Sequence, residues 1–107
     1  MDCKRYLLLL ALSKASTVYG LALYARLRRD IDPTAQAAWI DEHGLGVFIA
    51  SSLTASDIWR IAVPERLPTE ELSAFKDMLL LELGQDHRGM VGAPALAWLE
   101  RTQPLGG

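Results

Sequence analysis

A chain of 107 residues, half of them hydrophobic and 22% charged, can bury one core but not two, and is too apolar to remain disordered. Its lone cysteine, Cys3, excludes an internal disulfide, and no Cys/His grouping has metal-ligand spacing, so a reducing, cytoplasmic setting and no metal or cofactor are expected. The net charge of −2 divides unevenly: residues 1–29 hold six Lys or Arg against Asp2, a balance of +5, while residues 30–107 carry −7, so only the first part could attract a polyanion.

Lys4 and Arg5 precede a seven-residue apolar run, Tyr6 to Leu12, which imitates a short secretory signal. The run passes directly into helical periodicity, however, and is read as a buried first helix. No apolar stretch approaches the ~20 residues that span a bilayer. Ser16 or Thr17 can cap a second helix, in which Val18, Leu21, Ala22 and Ala25 form one apolar stripe. Arg26, Arg28 and Arg29 fall in its last turn, where cations suit the helix dipole.

Asp32-Pro33 restarts the chain as an N-cap and first helical residue. A third helix of about three turns is expected through TAQAAWIDEHGL, with Ala35, Ala38 and Trp39 inward and Gly44 ending it. Val47 to Ser52 and Ile58 to Val63 then alternate around a small polar loop, which reads as an antiparallel hairpin, although helix stays open for residues 47–55. After Pro64 and Pro68, Thr69 to Leu83 reads as a fourth helix. It is apolar over most of its circumference and therefore either deeply buried or shared with a partner. Gly84 ends it. Gly89 and Gly92 mark a flexible loop, and Ala95, Trp98 and Leu99 a short last helix before a Gly-rich tail.

The order helix, helix, helix, hairpin, helix is that of a winged helix-turn-helix domain. LLLLALSKASTVYGLALYARL resembles the opening of regulators of the MarR and PadR kind, and AWIDEHGL resembles the end of their recognition helix, where a Gly-Leu junction leads into the wing. The resemblance covers residues 3–83 and implies a mainly α fold with a small β-hairpin. It makes residues 1–83 a winged-helix domain with a dimerisation helix at 69–83, and residues 84–107 a loop, short helix and tail. It also implies that the third helix enters the major groove of duplex DNA.

That helix contains no Lys or Arg, whereas base reading calls for Arg, Lys, Asn or Gln. The binding surface would be assembled from Lys14, Arg26, Arg28, Arg29, Thr34, Gln36 and Arg60. Leu72, Phe75, Leu79, Leu80, Leu81 and Leu83 would form a homodimer interface. Two functions follow: a winged-helix DNA-binding transcriptional regulator, or a protein-binding adaptor or inhibitor such as phages and mobile elements encode against a host protein. Catalysis has no candidate residues. Asp41, Glu42 and His43 are consecutive and do not converge on one helical face; no phosphate loop or nucleophile elbow is present. His43 and His87 read as surface residues, Trp39, Trp59 and Trp98 as core anchors, and Cys3 as inert.

Overall fold

A computed structural model describes residues 3–84, 86 and 94–101. Eight elements follow in order: β1 (Lys4–Leu12), α1 (Val18–Asp30), β2 (Gln36–Asp41), β3 (Gly44–Ser51), α2 (Ala55–Ala62), α3 (Thr69–Ala74), β4 (Phe75–Leu83) and α4 (Pro94–Arg101). The four strands form one antiparallel sheet in the order β2-β3-β1-β4. This is the βαββαβ, ferredoxin-like arrangement, with α3 inserted ahead of the last strand and α4 following it.

The register sorts side chains between two faces. Tyr6, Leu8, Leu10 and Leu12 of β1 join Leu45, Val47 and Ile49 of β3 in the main core, covered by Leu23 and Leu27 of α1 and by Ile58 and Ala62 of α2. The alternate residues face the other way, where Phe48 stacks on Trp98 of α4 with ring centroids 5.2 Å apart. Arg5, on the same face and buried, donates from Nη1 to the Leu99 carbonyl (3.0 Å) and from Nη2 to the Gly84 carbonyl. Leu99 lies in the last turn of α4, so the guanidinium sits at the negative end of that helix dipole. The Trp98 indole N–H also donates to the Thr34 carbonyl (3.4 Å).

The mainly α, winged-helix expectation is therefore overturned. Tyr6 to Leu12 is a central strand, apolar toward both faces, and such a run has no periodicity that separates strand from helix. The supposed recognition helix is β2, a turn and the start of β3. Its Asp41-Glu42-His43-Gly44 sequence closes a hairpin: the Asp41 carboxylate accepts from the backbone N–H of His43 (2.8 Å) and Gly44 (3.2 Å). Asp at the first and Gly at the fourth position are turn residues. Gly44 has φ of +157°, and a Cβ there would run into the Leu10 carbonyl oxygen.

The supposed wing divides into β3 and α2. Thr54 caps α2 by accepting from the Asp57 N–H (3.2 Å), which the polar loop reading missed. The supposed dimerisation helix breaks at Ala74, and only Thr69–Ala74 is helical. The helix from Val18 does form, but it buries Gly20, Leu23 and Leu27 and leaves Val18 and Leu21 exposed, so its inner stripe lies elsewhere than expected. A last helix occupies 94–101. Gly89, Gly92, His87 and the tail lie outside the described residues.

Candidate functional site: the β4 edge

The sheet has two edges. β4 forms one of them over nine residues, FKDMLLLEL, and pairs with β1 along its inner side. Among the described residues no backbone group pairs with its outer side. Its side chains alternate about the sheet: Met78, Leu80 and Glu82 lie toward the helices, and Asp77, Leu79, Leu81 and Leu83 toward the opposite face. A register shift at Ala11/Leu12 leaves Lys76 as an extra residue at the start of the strand.

On the helix side, an open cavity of about 560 Å³ lies between α2 and β4, lined by Ala55, Trp59, Arg60, Met78 and Leu80 among others. A second, of about 270 Å³, continues along the strand between Trp59, Val63, Leu72 and Phe75. Trp59 and Met78 line both, so they form one groove beside the edge. Its sequence origin is the polarity of α2: Ile58 and Ala62 are one turn apart and buried, which turns the neighbouring Trp59 outward. On the opposite face, Leu9, Ala11, Trp39 and Leu79 surround a third depression of about 240 Å³. The Trp39 ring lies directly on Gly46, where any Cβ would overlap it. Leu79 (50% exposed), Trp39 (46%) and Leu81 (40%) form an exposed apolar surface on the part of this face that α4 does not occupy.

The six residues expected at an interface all lie on or beside this edge. Leu79, Leu81 and Leu83 line the open face; Leu80 is half-buried on the helix side; Leu72 and Phe75 border the groove. They are gathered by a strand and its neighbours rather than by one helix. Trp59, Met78, Trp39 and Leu9 belong with them and were missed. Trp39 and Trp59 are exposed, contrary to the core-anchor expectation, whereas Trp98 is buried.

The basic set is dispersed. Lys14 is exposed between β1 and α1. Arg26 donates from Nε to the Ala62 carbonyl (2.8 Å) and pairs with a nearly buried Glu71 (3.2 Å), joining α1, α2 and α3. Arg28 donates to the Pro33 carbonyl and lies over the Tyr24 ring. Arg29 is held by Asp30, which raises the guanidinium pKa and lowers that of the carboxyl, and Arg60 pairs with Asp57 (3.3 Å). Thr34 donates to the buried Asp32 carboxylate, and Gln36 donates to the Ala37 carbonyl. All four arginines of the set thus have partners in their own chain.

Exposed His43 lies beside Glu42 (3.4 Å) at the β2–β3 turn. Among the described residues no three His, Cys, Asp or Glu side chains group as metal ligands, and no helix is long and apolar enough to cross a membrane. Fold and surface together define an α+β domain with a four-stranded antiparallel sheet and one apolar edge that no other described residue covers. Compared with protein-family models, curated proteins and solved structures, the chain has no significant match.

Proposed function

We propose that this chain is a non-enzymatic protein-interaction module that accepts an extended strand along β4. The observation that carries the reading is the nine-residue edge with its adjoining groove: the backbone can extend the sheet, and two largely apolar cavities that share Trp59 and Met78 lie beside it. In strand addition the main-chain hydrogen bonds supply affinity, and pockets for alternate residues supply specificity. A long, apolar edge that no described element covers is otherwise an aggregation hazard, which a pairing partner would remove. The dispersal of the basic side chains, with Arg26 nearly buried against Glu71 and Arg28, Arg29 and Arg60 each paired locally, favours a protein partner over a polyanion. A reducing, cytoplasmic compartment belongs to the same proposal and rests on the single cysteine.

The test is selection of binders from a random peptide library, followed by mapping on the isotopically labelled protein. Selected peptides should be extended, with apolar residues two apart, and should shift amide signals of β4 together with the indole of Trp59. Binders that map to α1 or to the β2–β3 turn instead would overturn the assignment.

A further inference from the structure

We infer that the strand received by β4 is β4 of a second copy, antiparallel and centred on Leu79. This rests on the strand-accepting reading above and names the partner. Two antiparallel copies of one strand related by a two-fold axis place residue i opposite a residue j such that i and j are equidistant from the centre. With Leu79 on the axis, Met78 lies opposite Leu80, Asp77 opposite Leu81 and Lys76 opposite Glu82, each pair occurring twice. Directly opposed residues share a face: the register puts Met78, Leu80 and Glu82 on the helix side and Asp77, Leu79 and Leu81 on the other, and Lys76, at the register shift, borders the second cavity beside Leu72 and Phe75.

Charge decides the register. Shifting the axis to Met78 sets Lys76 against Leu80 and Glu82 against Ala74. Shifting it to Leu80 sets Lys76 against Gly84 and Glu82 against Met78. Either shift loses both oppositely charged pairs; only the Leu79-centred register retains them. Within one chain Lys76 has no ion-pair partner among the described residues, and Glu82 has only an exposed contact with Lys4 at 4.0 Å. The pairing would join two four-stranded sheets into one of eight and make the apolar open faces continuous through Leu79 and Leu81 of both copies. Asp77 against Leu81 is its single mixed pair.

Light scattering of the full chain at about 100 μM should give twice the 11.8 kDa of one copy. K76E alone and E82K alone each set two like-charged pairs across the junction and should weaken association by about tenfold. An equimolar mixture of the two variants restores opposite charges at both ends and should recover a heterodimer. Leu79→Lys, which alters a half-exposed side chain, places two ammonium groups on the axis and should give a folded monomer by circular dichroism. A monomeric parent chain that still takes selected peptides along β4 would overturn self-pairing and spare the strand-accepting reading. A dimer that survives Leu79→Lys, or a K76E and E82K mixture that stays apart, would overturn the register. A dimer built elsewhere, with no peptide shifts at β4, would overturn both.

Discussion

The two edges of the sheet are treated differently. β2 is short, six residues, and a register shift between Ala37 and Trp39 interrupts its ladder. Its neighbourhood is also tied down: the Asp32 carboxylate just ahead of it accepts from the Thr34 N–H and hydroxyl and from the Ala50 N–H of β3, and α4 packs beside it through Trp98. β4 is longer, regular from Asp77 to Leu83, and uncovered on its outer side among the described residues. Shortness, a bulge and a covering helix are the means by which proteins blunt an edge. Their presence on β2 and absence from the outer part of β4 separate a protected edge from one available for pairing.

Several substitutions break or sharpen that contrast. Leu8→Ala removes a fully buried side chain from the strand beside β4 and should cost about 2–5 kcal/mol, read as a fall in the urea midpoint with the slope unchanged. Leu81→Ala, one strand away and 40% exposed, should cost well under about 1 kcal/mol in a monomer. If the two losses are equal, β4 is covered by something the described residues do not include.

Asp32→Ala should cost about 2 kcal/mol or more, because it removes a buried carboxylate and leaves the half-buried Ala50 N–H and the Thr34 donors without their acceptor. Amide exchange should then quicken in β2 and at Ala50 before it does in β4. Arg5→Met tests the anchor of α4. It removes a buried guanidinium whose Nε has no hydrogen-bond partner among the described residues, so the apolar replacement should perturb global stability less than Arg5→Ala, which also leaves a cavity. In both variants the Trp98 indole signal should move.

A smaller effect concerns pH. Burial, and next the Glu82 carboxylate, raise the Tyr6 pKa above its ordinary value, while its hydroxyl donates to the Leu53 carbonyl (2.6 Å). The unfolded chain loses this proton first, so the stabilisation is complete below about pH 10 and is lost as pH rises through the folded-state pKa. Tyr6→Phe should lower stability at neutral pH and flatten the alkaline decline; an unchanged alkaline profile would reject Tyr6 as its source. Thr54→Ala, loss of the α2 cap, should cost about 1 kcal/mol and loosen the groove wall that carries Trp59.

Sequence reasoning located the apolar cluster at 72–83 but assigned it to the wrong element. Met78-Leu79-Leu80-Leu81 is apolar on consecutive residues because β4 exposes one set of side chains to the open face and directs the other toward the helices. In one dimension such a strand looks like an all-round apolar helix. β2 misled for a related reason. Its alanines favour a helix, and only its turn residues, Asp41 and Gly44, carried a readable hairpin signal. The groove could not be read at all, since Trp59 and Leu72 meet Met78 and Phe75 only after α2 and α3 pack beside the edge.

What the sequence determined by itself was local or compositional. It specified a single domain with one cysteine, the helix from Val18, the breaks at Pro64 and Pro68, and apolar surface concentrated at 72–83. The tertiary structure decided which runs became strands, that Arg26 joins α1 to α2 and α3, and which strand was left at an edge. Those outcomes depend on partners far away in the chain. Leu8 is a strand residue because Val47 and Leu80 flank it, and no short window around residue 8 contains either neighbour.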